Sequence, residues 1–386
     1  MITHPIAGRL RALAAVLALA AAVGGCASVG APAVATGYFF VGGHYAGEGA
    51  QRRLQGQMYV QSFEPAHRRH PYPIVMIHGT AQTGNNFTGT PDGRTGWAQE
   101  FAARGYAVYV VDQVGRARSG ASTALYGEYV ELPLDLVQFL ARSPDTAFPT
   151  ARLNTQWPDS AQPGQPIFDQ FAAQQVPNIR DATKNEELNL AANLALLERI
   201  GPAIVLTHSQ SGALGWKLAD MRPAQVKALV AIEPNGPSFR DLVYPYRASP
   251  PPQGAPWYRY VETLSRPWGI TRLALTFSPA REEPPQAQLQ AQPDAPELVR
   301  CWLQAGTPRT LPQLALVPIG LFTAEASFRT ASDHCTARFL EQAGVHVDHI
   351  RLAQEGVHGN GHMVMLERNS TEVGAVIARW LQRRSL

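Results

Sequence analysis

Lysine is nearly missing from this chain: of its 33 basic residues, only Lys184, Lys217 and Lys227 are lysines. The arginines are scattered, with no basic stripe interleaved with aromatics, so nothing points to a nucleic-acid partner. Cysteine is as scarce. Apart from Cys26 there are only Cys301 and Cys335, which can form at most one bridge. A long apolar run is also lacking. The stretch Leu10–Val23, apolar but for Arg11, is too short and too rich in small residues for a comfortable membrane span. No internal repeat is found.

What is present is a 386-residue chain that is 45% hydrophobic, enough for a sizeable core in one domain carrying insertions. Residues 1–25 read as an export signal: Arg9 and Arg11 form a positive start, and small apolar residues follow. The run ends Gly24-Gly25-Cys26-Ala27-Ser28, the pattern of a bacterial lipoprotein in which Cys26 becomes the lipid-bearing, membrane-anchoring N-terminus. The rival is ordinary cleavage at Ala31-Pro32-Ala33, releasing a soluble protein. The formal charge of +3 includes Arg9 and Arg11, so the mature chain is near neutral. The expected location is the periplasm or an outer-membrane anchor, or else secretion. An oxidising compartment favours a Cys301–Cys335 disulfide over two separate buried thiols.

The domain is expected over 37–386. Residues 37–43 and 57–63 read as strands, β-branched and aromatic between glycines. Short apolar runs at 73–79, 107–111, 203–206, 226–232 and 318–322 resemble the doubly covered strands of a parallel sheet, and 347–352 fits a last strand. Helical patterns at 97–104, 181–199, 336–343 and 371–382 fall between or after them; in 181–199 the apolar stripe is Leu188, Ala191, Leu194 and Leu197, continuing to Ile200. Alternation of this kind predicts an α/β fold, a mostly parallel sheet with helices on both faces. Two stretches break it, about 120–179 and 235–313. Both are rich in Pro and aromatics, and are expected to be inserts capping the strand ends.

The chemistry centres on Leu206-Thr207-His208-Ser209-Gln210-Ser211-Gly212, where a buried strand runs into a serine and then a helix. A nucleophile elbow needs this strand–turn–helix context and small neighbours two positions either side, usually G-x-S-x-G. Here Thr207 and Ser211 replace the glycines. A serine hydroxyl needs a base, and Gly356-Val357-His358-Gly359-Asn360-Gly361-His362-Met363 offers His358 and His362 after the last strand. The glycines between them argue against a helical two-histidine metal site, and no third ligand is evident, so neither metal nor cofactor is expected. The acid that orients the base follows in chain order between serine and histidine; Glu233, Glu325 and Asp333 all qualify. Backbone N–H donors for a developing oxyanion are expected from Gln210 and from Thr80 or Ala81 after His78-Gly79. Arg116 and Arg118 read as loop-stabilising residues.

Thr90-Pro91-Asp92-Gly93-Arg94, His208-Ser209-Gln210-Ser211-Gly212 and the Gly356–Met363 motif together resemble the bacterial "esterase 713" family of α/β-hydrolases, over about 74–366 with a large gap. The resemblance implies a triad of Ser209, Glu233 and His362, choosing Glu233 over Glu325 and His362 over His358. Two departures stand out. A member of the family carries adjacent cysteines where this chain has Thr80-Ala81, and the Pro-rich stretch after Glu233 is longer here.

These readings lead to a serine hydrolase cleaving a small or medium carboxylic ester through an acyl-enzyme. A lipase or polyester hydrolase is the nearest alternative, and a non-catalytic lipoprotein binding an apolar ligand is a more distant one. Haloalkane or epoxide chemistry would need aspartate in place of Ser209.

Overall fold

Short unbroken apolar runs in this chain become strands covered on both faces. The computed structural model describes Met1, residues 34–245, 250 and 252–386; the expected signal segment and Cys26 lie outside the described residues. Strands β3 (Ile74–Ile77) and β5 (Ala203–His208) are buried along their whole length. Their side chains alternate between two cores, as the two-residue period of a strand requires. Ile74, Met76, Ile204 and Leu206 enter one core, and Val75, Ile77 and Val205 the other.

The full sheet adds β1 (Ala35–Ala46), β2 (Arg53–Glu64), β4 (Val108–Asp112), β6 (Val226–Ile232), β7 (Ile319–Thr323) and β8 (Asp348–Arg351), in the order β1-β2-β4-β3-β5-β6-β7-β8. The β1–β2 and β2–β4 pairs are antiparallel and the rest are parallel. The parallel strands therefore present their carboxyl ends along one edge, where the loops after β3, β4, β5, β6 and β8 gather.

One face is covered by α1 (Trp97–Ala103) and α7 (Ser370–Gln382), through Trp97, Phe101, Ile377 and Trp380. The other is covered by α4 (Ala182–Ile200), α5 (Gly212–Met221) and α6 (Asp333–Gln342), through Leu196, Trp216 and Phe339. A fully buried side chain of this kind contributes roughly 1.5–3 kcal/mol, so the two cores dominate the stability.

Helix α4 differs from the sequence expectation. Asp181 caps it by accepting from the Lys184 amide, and Gly201 ends it at φ 80°. Its buried face, however, carries Asn185, Asn189, Leu190, Asn193, Leu196 and Leu197, while Leu188 and Leu194 are only half-buried and Ala191 is exposed. The asparagines sit four apart and replace an apolar stripe. Asn189 and Asn193 each donate to the backbone carbonyl four residues back, and the Asn189 side-chain oxygen accepts from the Val114 amide at 2.7 Å. Polar groups in this helix thus brace the loop after β4.

The stretch 120–179 is ordered structure: α2 (Leu134–Ala141), α3 (Pro166–Ala173) and a pairing of Tyr129–Val130 with Asn178–Ile179. The described part of 235–313 holds two short antiparallel pairs, Leu242–Val243 with Arg259–Tyr260 and Ala287–Leu289 with Trp302–Gln304. The two stretches meet through Phe139 and Tyr244, whose ring centroids are 5.6 Å apart. A Cys301–Cys335 disulfide ties the second stretch to α6.

Candidate active site

Strand β5 delivers Ser209 at its carboxyl end with φ 54°, a left-handed backbone that non-glycine residues seldom adopt. The crowding this creates is relieved by glycines other than the two the usual motif prescribes. A Cβ on Gly79 would lie 2.9 Å from that of Ser209, one on Gly212 would lie 2.5 Å from Pro234 Cβ, and one on Gly215 would lie 2.9 Å from the Thr207 methyl. Thr207 is therefore accommodated by Gly215. Ser211 is useful in its own right: its hydroxyl accepts from the His208 amide at 2.9 Å and donates to Ile77 O at 2.7 Å. That bond ties the elbow to the neighbouring strand.

The loop after β8 brings His362 to the same place. Its Nδ1 donates to Glu233 Oε2 at 2.8 Å, which leaves Nε2 as the acceptor nitrogen. The ring packs between Phe328 and His208, at centroid distances of 4.5 and 4.6 Å, and His208 Nε2 donates to the His362 carbonyl at 3.0 Å. Glu233 ends β6 at φ 47° and is fully buried. It also accepts from the Ala324 amide at 2.8 Å and from the Ser327 hydroxyl.

Burial pushes the Glu233 carboxyl up, to about 8, while Ser327, the Ala324 amide and the nearby Arg329 guanidinium pull it down. Burial, then Arg329, hold His362 well below the usual imidazole range. We favour a carboxylate beside a neutral imidazole, because three donors converge on the Glu233 oxygens. The Ser209 hydroxyl shares a cavity with His362 but is not hydrogen-bonded to it here; such bonds tighten as substrate binds.

The other residues weighed from sequence lie elsewhere. Glu325 and His358 pair with each other, Oε1 to Nδ1 at 3.1 Å, and Glu325 also accepts from the Gly359 amide. Neither lines the cavity that holds Ser209. Asp333 is buried and accepts from the Thr323 hydroxyl at 2.8 Å. Ala81 requires correction as an amide donor. Its N–H is bonded to Asn178 Oδ1 at 2.8 Å, so it is occupied, whereas Thr80 lines the cavity and its amide has no acceptor among the described residues. The Gln210 amide follows Ser209 at the first turn.

Sequence reasoning missed Ser327, Arg329, Asn178 and Glu367. Glu367 is buried and accepts from Gly361 N and Asn360 Nδ2, both at 2.7 Å, holding the residues just before His362. Burial raises its carboxyl to about 8. A local signal existed only for Glu367, five residues after His362; the others depend on chain-distant contacts.

The cavity has a volume of about 320 Å³. Ser209, His362, Thr80, Asp241 and Arg329 are among its polar lining, while Leu132, Leu136, Phe139, Leu140, Phe328 and Met363 supply apolar walls. Leu136 and Leu140, four residues apart, share one face of α2, and Leu132 precedes the helix. The arrangement can hold an apolar chain with its reacting carbon beside a serine, an imidazole and free backbone donors.

Comparison with known proteins gives consistent results. The α/β hydrolase fold family matches residues 72–266. A protein named "probable secreted lipase phiG", from a fungal species (strain ATCC 74256), is 38% identical over 361 residues, 90% of each chain. The atomic-resolution structure of a novel bacterial esterase aligns with a TM-score of 0.59 at 22% identity, covering 92% of this chain and 98% of that one, which speaks to the fold.

Proposed function

Because this chain belongs to the α/β-hydrolase fold family, we propose that it hydrolyses carboxylic esters, with Ser209 as nucleophile, His362 as general base and Glu233 as the acid that orients it. The observation that carries this reading is the His362–Glu233 bond of 2.8 Å at the cavity that also holds Ser209. Nδ1–H donation to Glu233 leaves the Nε2 lone pair to take the Ser209 proton.

Ser209 Oγ then bonds to the ester carbon as its proton passes to His362, and the carbonyl electron pair moves onto oxygen. The Thr80 and Gln210 amides are the donors for that oxyanion. Collapse breaks the bond to the alcohol oxygen, which takes the proton from His362 and leaves. Water repeats the sequence on the acyl-enzyme, giving up one proton to His362, which returns it to Ser209 as the acid departs.

The narrower kinship with the esterase 713 family is part of this proposal and rests on the three motifs quoted above. A second reading, action on lipid or polyester at an interface, is favoured by the lipase name of the fungal relative and by the cavity-lining Leu132, Leu136 and Leu140. It predicts a jump in rate when a triglyceride passes from solution to emulsion. Export fits the same relative's description as secreted. Anchoring through Cys26 would add a diacylglycerol mass to the mature N-terminus.

The test of the main reading is mass spectrometry after treatment with an organophosphonate ester. A single adduct on Ser209, absent in Ser209→Ala, supports it. A folded protein with no adduct would leave only the ligand-binding alternative.

A further inference from the structure

Arg116, in the loop after β4, is 1% exposed. Among the described residues no carboxylate comes within salt-bridge distance of it, in contrast to Arg118, which pairs with Asp112 at 2.6 Å. Burying a guanidinium without a counter-charge is costly, and burial lowers its pKa to about 9. Its hydrogen bonds go to two particular groups. Nη1 donates to the Gly79 carbonyl at 2.8 Å and Nη2 to the Gln210 side-chain oxygen at 2.7 Å.

Gly79 precedes one of the two amides assigned to the oxyanion, that of Thr80, and Gln210 carries the other. The Gly79 carbonyl belongs to the same planar peptide as the Thr80 N–H, so pinning one end aims the other. A second donor completes the clamp. His78 Nε2 accepts from the Gln113 amide at 3.0 Å, so Nδ1 carries the proton and donates to Gly79 O at 3.1 Å. Donation into a carbonyl also polarises its peptide and strengthens the N–H as a donor. The bond from the same guanidinium to the Gln210 side chain holds the residue that supplies the other amide.

Resting on the serine-esterase reading, we propose that Arg116 is a positioning residue for the oxyanion: it fixes the Thr80 and Gln210 amides and sets an uncompensated positive charge behind them. The buried charge then opposes the negative charge that develops on the substrate oxygen. It acts in a water-poor region where such interactions are strong.

The experiment compares wild type with Arg116→Gln and Arg116→Lys on p-nitrophenyl butyrate and with a trifluoromethyl ketone, whose adduct with Ser209 carries an oxyanion. Arg116→Gln is expected to lower kcat on the order of 100- to 1000-fold, as removal of an oxyanion donor does, with KM little changed. Affinity for the ketone should fall by the same factor as kcat/KM. Arg116→Lys should recover part of the loss, because it keeps the charge but cannot reach both acceptors. A folded Arg116→Gln with kcat within about threefold of wild type, or with kcat reduced and ketone affinity intact, overturns the proposal. If Arg116→Gln does not fold, Gln210→Met removes one acceptor and keeps the amide. It is then expected to lose about tenfold in kcat and in ketone affinity together, and an unchanged enzyme overturns the proposal. Ester cleavage that survives Ser209→Ala removes the underlying reading, and the role of Arg116 with it.

Discussion

Ser209 and Glu233 follow neighbouring parallel strands and both take a positive φ, 54° and 47°. Each such residue costs about 1–3 kcal/mol. The surroundings hold both in place: the Asn235 amide donates to the Ser209 carbonyl at 2.8 Å, and the Glu233 amide to the Phe322 carbonyl at 3.0 Å. The bend throws both side chains off the strand axis toward the cavity edge of the sheet.

A positive φ at position 209 favours glycine over alanine there. Ser209→Gly is expected to be more stable than Ser209→Ala by about 1 kcal/mol, the reverse of their usual order, with both variants inactive. Urea unfolding of the pair measures it. An Ala variant equal to or more stable than the Gly variant refutes the claim.

Glu233 holds the proton of His362 on Nδ1. Glu233→Gln brings an amide N–H toward donors that need an acceptor, favouring the wrong imidazole tautomer. The expected loss in kcat is roughly 10⁴-fold. Glu325→Gln, altering a residue away from the cavity, should stay within about threefold. Comparable losses in the two variants would reject the assignment of the acid.

Activity requires neutral His362, and its folded pKa lies below the usual 6.5 because of burial and then Arg329. Acidification protonates the base only as pH falls through that lowered value, so the enzyme should remain fully active at pH 6.5 and lose kcat/KM below it. Arg329→Gln removes a repelling charge and should move the midpoint up. The measurement is kcat/KM against pH; a wild-type midpoint at or above 6.5 contradicts the prediction.

Leu136 and Leu140 of α2 line the cavity. Leu136→Phe should shift preference toward shorter acyl chains and Leu136→Ala toward longer ones, by about tenfold in the ratio of kcat/KM for octanoate and butyrate esters. An unchanged ratio in both variants would mean that the acyl chain lies elsewhere.

Much of this was legible in the sequence where a local pattern has a local cause. The buried strands, the serine at a strand–helix turn and the glycine-rich histidine loop are each written within a dozen residues. Glu233 was not separable from Glu325 and Asp333 by position, because what distinguishes it is a bond to a histidine 129 residues away. The Ala81 amide failed as a donor because Asn178, 97 residues on, accepts its proton. In α4 the apolar period suggested one face and the asparagines selected another, since buried polar side chains follow their partners rather than the hydrophobic repeat. Arg116 reads as an ordinary loop arginine until the fold places its two acceptors around it.

Thr80, Arg116, Ser209, Glu233 and His362 each stand on a different loop, at the carboxyl ends of β3, β4, β5, β6 and β8. No fragment of the chain holds the set, and no two of its members become neighbours until the strands between them have paired. During refolding from denaturant, helical signal can return early because its contacts are local, whereas long-range strand pairing is slower. Catalysis should reappear only with the last of these pairings, so turnover itself reports when the sheet has closed its register.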